Sequence, residues 1–305
     1  MDVRKRILAL GLALVVGALT VACGGGGASG SGEEGGELTL GTIGWTENVA
    51  ISNLTKVVME DELGYEVQIQ GPLDLGPLFQ GVAGGDLAAF QDVWLPNNRN
   101  YLDKPQIKEN VEVLEPWYEG ETSYGIAVPA YMENVRAIPD LKGVVDRIVG
   151  IEPGASFHPQ IRNKVIPGYN LDDIKLVESS TAGMLAELQR AYEDEEPIAF
   201  LRWSPHWMNE EYDLRYLEDP KDLQGEFNDP SRITTVVNAD LKEDDPVAYA
   251  FLNAITLDEE QLNKLELEIK EAGDDNPEEG VRNWLQDNPD VAEPWVQAAQ
   301  EAQGS

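Results

Sequence analysis

Three times along this chain a strand-length apolar run ends close to a tryptophan, and the hydrophobic period then changes. Leu38-Thr-Leu-Gly-Thr-Ile43 alternates and runs into Gly44-Trp45-Thr46-Glu47; Ala89-Phe-Gln-Asp-Val93 runs into Trp94-Leu95-Pro96; Pro197-Ile-Ala-Phe-Leu201 runs into Trp203-Ser204-Pro205. After the first run, Ala50, Ile51, Leu54, Val57 and Val58 recur at helical spacing, with Thr46 as the expected N-cap, Glu47 in the first turn and Gly64 past the end. Tyr65, Val67 and Ile69 then alternate as a strand. A helix around 75–82 precedes the second run, and the stripe Met184, Leu185, Leu188, Ala191 and Tyr192 precedes the third. Strands alternating with helices predict an α/β protein whose mostly parallel sheets are covered on both faces. Beyond Pro246 the pattern is helical, over 247–255, 259–272, 277–286 and 291–300.

The N-terminal end predicts export. Arg4, Lys5 and Arg6 precede an apolar run at 7–19 that is too short to span a bilayer, so residues 1–22 read as a signal peptide. Thr20-Val-Ala-Cys23 then places small residues before the chain's single cysteine, the pattern of a lipoprotein processing site, with ordinary cleavage after Ala22 as the alternative. Residues 23–36 are Gly- and Ser-rich and would act as a flexible tether from a lipidated Cys23. The expectation is a membrane lipoprotein facing the extracytoplasmic side, without disulfides.

With 56 acidic against 22 basic side chains and a formal charge of −34, the surface repels nucleic acid. The acidic runs at 193–196, 243–245 and 278–279 read as solvated faces rather than metal ligands. No Walker loop, Cys/His metal spacing or G-x-S-x-G elbow is present, so neither an enzyme, a cofactor nor a bound metal is expected.

In open α/β sheets, ligands bind beyond the carboxyl ends of the strands. That rule singles out Trp45, Trp94 and Trp203. A quaternary ammonium explains the demand for several aromatic faces: its charge is wrapped in methyl groups and offers no hydrogen-bond donor, so cation–π attraction and apolar burial must hold it. The turn Glu152-Pro-Gly-Ala-Ser156 follows a strand-like 147–151, and exposed amides at Gly154, Ala155 and Ser156 could cradle a carboxylate. His206 is a candidate donor to the same group, ahead of His158.

These residues resemble a family. Gly44-Trp-Thr-Glu47, Asp92-Val-Trp-Leu-Pro96, Gly150-Ile-Glu-Pro-Gly154, Glu178-Ser-Ser-Thr-Ala-Gly-Met-Leu185, Trp203-Ser-Pro-His-Trp207 and Tyr212-Asp-Leu-Arg-Tyr-Leu217 are similar to motifs of the glycine betaine/choline-binding proteins of ABC importers, a branch of the periplasmic-binding-protein type II fold. The resemblance implies two lobes around a hinge, with 37–127 and 232–305 as the first and 128–231 as the second. It implies an aromatic box of Trp45, Trp94, Tyr124 and Trp203, supported by Trp207. It also implies a monomer that docks on an ABC permease. Choline binders resembling this chain have Asp where Glu47 stands and Asn where Ala155 stands. The missing Asn favours glycine betaine, while Glu47 keeps choline a rival, with carnitine or another quaternary ammonium behind it. A lipid-anchored carbohydrate-active enzyme, whose tryptophans would stack on sugars, is the distant alternative.

Overall fold

The computed structural model describes residues 35–273 and 275–304, so the expected signal peptide, Cys23 and most of the 23–36 tether lie outside the described residues. Leu38 and Leu40 turn into the core from β1 (Glu37–Gly41), and Gly44 at φ 94 swings the chain into α1 (Thr46–Leu63), which Gly64 ends at φ 70. Then follow β2 (Glu66–Gln70), α2 (Leu75–Gly84), β3 (Ala89–Leu95), β4 (Val111–Pro116), β5 (Ser123–Pro129), β6 (Arg147–Val149) and β7 (Lys175–Val177). The chain continues through α3 (Thr181–Glu193), β8 (Ala199–Ser204), β9 (Leu214–Tyr216) and β10 (Arg232–Asn238). It closes with α4 (Pro246–Ala254), α5 (Glu259–Ala272), α6 (Pro277–Asp287) and α7 (Glu293–Gln303). One-turn helices fill several of the loops.

The strands form two five-stranded sheets, ordered β2-β1-β3-β10-β4 and β7-β6-β8-β5-β9. Each has four strands running one way and one running against them, β10 in the first and β5 in the second. The sheets are therefore mixed, and alternation alone does not reveal the reversed strand, because it belongs to the passage between lobes. β5 follows the crossing at 117–122 and β10 follows the return at 217–231. A lobe boundary between 127 and 128 would cut through β5, which pairs only within the second sheet. The two crossings meet where the Thr122 hydroxyl donates to the Ser231 carbonyl at 2.9 Å and accepts from the Ser231 amide at 2.5 Å.

The interior of β3 is buried on both faces, as a covered sheet requires. α1 does not carry a simple apolar stripe: Glu47, Asn48, Ser52 and Thr55 are buried with its hydrophobic residues. Two of these polar groups have structural duties. The Asn48 carbonyl oxygen accepts from the Ile43 amide and the Thr42 hydroxyl, and Thr55 accepts from Gln91. Thr46, expected as the N-cap, is the first helical residue instead; Trp45 precedes it, and the Thr46 hydroxyl meets His206 Nε2 at 2.8 Å.

The C-terminal helices cover the first sheet, with Trp295 of α7 set edge-on against Phe251 of α4. α5 starts with a reciprocal cap in which Asp258 and Gln261 each accept the other's backbone amide. Asp258→Ala should lower unfolding stability by about 1 kcal/mol in a denaturant titration, since it removes this exposed cap.

Candidate functional site

The carboxyl ends of β1 and β3 in one sheet, and of β6 and β8 in the other, release their loops toward a common cleft. The start of β5 joins them, because antiparallel pairing sets Tyr124 directly opposite Trp203. One cavity results, lined by Trp45, Glu47, Trp94, Asn97, Asn98, Tyr124, Ile151, Ala155, Ser156, Trp203 and Phe227. Its lining is predominantly aromatic and aliphatic with a few polar groups, the chemistry of a small-molecule site.

The rings are fixed from behind. Phe157 and Phe227 stack at 4.5 Å between centroids, and Tyr124 leans on both, at 5.0 Å and 6.3 Å. The Tyr124 ring also lies 6.4 Å from that of Trp94. Burial, with Glu152 and Glu47 nearby, pushes the Tyr124 hydroxyl far above its ordinary pKa, so it stays neutral.

Each cage tryptophan donates its indole N–H to a carboxyl group: Trp45 to Glu152 at 2.9 Å, Trp94 to Asp92 at 2.8 Å and Trp203 to Glu47 at 3.0 Å. The first and third bonds run between the lobes in opposite senses. Glu152 is further held by the Thr181 amide and hydroxyl at 2.7 Å and 3.0 Å, at the start of α3. Other bonds cross the same cleft: Tyr101 to the Gly154 carbonyl, Asn98 to Ser156, Ser156 to Asn100, and the Trp207 amide to Glu266 at 2.8 Å. The cleft is thus closed.

Glu47 is 1% exposed, and burial raises its pKa from 4.5 to about 8, reinforced by the charge of Glu152 and opposed by hydrogen bonds from its own backbone, Trp203 and Trp94. Asp92 and Glu266 are also driven well up by burial and by the proximity of Glu47. At neutral pH Glu47 is chiefly a neutral acid that can donate a hydrogen bond.

Trp45, Glu47, Trp94, Tyr124, Ala155, Ser156 and Trp203 are therefore brought to one cavity, whereas Gly154 and His206 are not among its lining residues. The Gly154 carbonyl is taken by Tyr101, and its φ of 88 shows the residue serving the turn. His206 is fully occupied: its Nδ1 accepts from the Met208 amide at 3.0 Å, leaving the proton on Nε2 to meet Thr46. Burial, with Lys270 near, lowers its pKa to about 3, and its ring packs edge-on to Trp203 at 4.7 Å. It supports the cage wall from outside. His158 is likewise buried and shifted to about 4, with Nε2 accepting from the Ile151 amide at 3.3 Å. Trp207 packs against His206 and under Lys270.

Sequence reasoning did not reach Asn97, Asn98, Ile151 or Phe227. Asn97 and Asn98 follow Pro96 at the same strand end as Trp94, which was the available signal. Phe227, from the return crossing, carried none. Asn97 is 5% exposed and its side-chain oxygen has no partner among the described residues, so it is a polar group free to meet a ligand.

Comparison with known proteins places this geometry. The model of a family described as the substrate binding domain of ABC-type glycine betaine transport system matches residues 36–287. The glycine betaine/carnitine transport binding protein GbuC of Listeria monocytogenes is 37% identical over 159 residues, 52% of this chain and 51% of that protein, so the match spans about half of that relative. Lactococcal OpuAC, solved closed with glycine betaine, superposes with a TM-score of 0.76 at 32% identity, covering 85% of this chain and 99% of that one. An ABC-transporter choline binding protein in complex with choline gives a TM-score of 0.77 at 26% identity over 87% of this chain and 97% of that one. The two mixed sheets, the closed cleft between them and a family match over most of the chain lead to one assignment: this chain belongs to the substrate-binding domains of ABC-type glycine betaine transport systems, a family of two-lobed transport binding proteins and not of enzymes.

Proposed function

We propose that the protein captures glycine betaine between its lobes and presents it to an ABC permease for osmolyte uptake. The observation that carries this reading is the cage itself: Trp45 and Trp94 from the first lobe face Tyr124 and Trp203 from the second around a single cavity. Each ring contributes roughly 0.5–2 kcal/mol to a desolvated quaternary ammonium. The protonated Glu47 and the polar groups of Asn97, Asn98 and Ser156 suit the carboxylate end. That removes the repulsion expected from an acid at this position. The ligand bridges both lobes, favours the closed form, and that form docks on the permease as a monomer.

Choline is the second reading, favoured by the same Glu47: once ionised, it would accept the hydroxyl. Calorimetric titration of the ligand-free protein with glycine betaine, choline, carnitine and an oligosaccharide decides among them, with tryptophan fluorescence as a parallel signal. Saturable binding of glycine betaine, tighter than choline, is expected; a response to the oligosaccharide alone would sink the reading. Export and attachment through a lipidated Cys23 complete the proposal, and Cys23→Ser should release the protein from the membrane fraction. Among the described residues no helix is long and apolar enough to cross a membrane.

A further inference from the structure

We infer that Asp92 and Glu152 are positioning residues for cation recognition, each orienting and polarising one cage indole through its N–H so that the ring face turned to the ligand is richer in electrons. The inference rests on the quaternary-ammonium reading of the cavity and adds a layer to it.

Four observations support it. Trp94 and Trp45 each have such a partner, at 2.8 Å and 2.9 Å. Asp92 does not line the cavity and is fully buried, so its contact with the site runs through Trp94, two residues along the same strand. Its second carboxyl oxygen has no hydrogen-bond partner among the described residues, so a group costly to bury has been kept for one visible bond. Finally, the ion pairs of the described residues all lie elsewhere, and none supplies a cation to Glu47, Asp92, Glu152 or Glu266. Nor do the acids of the described residues converge to hold a metal ion.

A buried acidic layer without its own cation is poised for one arriving in the cavity. An indole N–H bound to a carboxylate is a charge-assisted donor, and hydrogen bonds in a low-dielectric interior polarise the groups they join. The added electron density strengthens the negative ring face that attracts an ammonium. Burial, with Glu47 near, raises the Asp92 carboxyl while the cage is empty, and a cation in the cavity favours its ionised form.

The test is a pair of double-mutant cycles read by calorimetric titration with glycine betaine. Asp92→Asn keeps an oxygen that can accept the indole N–H but removes the charge. It should weaken betaine roughly three- to tenfold in the wild-type background. In a Trp94→Phe background, which has no N–H to bind, the same change should cost less than about twofold, because the coupling between the two residues has been removed. A merely structural role for Asp92 would give the same loss in both backgrounds, and that result, or no loss in either, overturns the inference. Glu152→Gln with Trp45→Phe repeats the cycle at a partly exposed position, with the same outcomes, and decides the matter where the buried substitution unfolds the protein. If the wild type binds neither glycine betaine nor choline, the reading of the site falls and the inference falls with it; binding by the wild type without coupling in the cycles removes the inference alone.

Discussion

Trp203→Ala is expected to weaken glycine betaine binding by roughly a hundredfold, and Trp94→Ala by at least about tenfold, from the sum of cation–π attraction and lost apolar burial. Both rings are nearly buried in the closed cleft, at 3% and 5% exposure, so each removal opens the cage wall as well as deleting a contact. The two differ in what they leave behind. Without Trp94, Asp92 loses an intralobe donor while the cross-cleft bonds remain. Without Trp203, Glu47 loses its bond from the opposite lobe, so the ligand must also hold a cleft that has lost one of its closing contacts. Calorimetry measures the affinities, and circular dichroism checks that the fold persists. Unchanged affinity in both variants would exclude the cage as the binding site.

Glycine betaine affinity should also fall as pH rises from about 5 to 8, by roughly tenfold or more, as protons are demanded by the closed form. The sign follows from Glu47. Opening the lobes hydrates its carboxyl, returning it toward the ordinary value of 4.5, whereas closure raises it to about 8. A group with a raised pKa in the closed state contributes its full stabilisation below 4.5 and loses it as pH climbs to about 8. Betaine sharpens the effect, because an ionised Glu47 would repel its carboxylate. Choline reverses it: a cation with a hydroxyl stabilises ionised Glu47, so choline affinity should hold or rise over the same range. Glu47→Gln should flatten the betaine profile in large part. A residual slope belongs to Glu266, whose carboxyl also reaches across the cleft to the Trp207 amide and is likewise raised by burial. Equal pH dependence for the two ligands would refute this role of Glu47.

The fold and the ring-bearing part of the site were legible because both are written in local pattern. A tryptophan at or just past a strand's carboxyl end must face the cleft or the core, and Trp45, Trp94 and Trp203 share that position in two sheets. Tyr124 was reachable only through the family resemblance, since it sits at the start of a strand; antiparallel pairing with β8 carries it to the same end. His206 misled because a histidine beside an aromatic site has the right chemistry for a carboxylate. Which way its nitrogens face is decided by the Met208 amide and Thr46, the latter 160 residues away in sequence. Two of the acidic partners of the indoles, Asp92 and Glu152, were illegible in that role for a related reason. In a chain this rich in Asp and Glu, nothing local distinguishes Asp92 or Glu152 from carboxylates that face water.

The reversed strand in each sheet has a consequence for how the chain is made. The second sheet has all five of its strands once residue 216 has emerged, from one continuous stretch of chain. The first cannot finish: β4 pairs only with β10, so its edge stays unpaired until synthesis has passed residue 238. An N-terminal lobe that begins first and is completed last leaves an open strand edge through much of translation, the type of surface that invites misassembly. For a binding protein of an importer, that delay keeps the first lobe unfinished until most of the chain has been made.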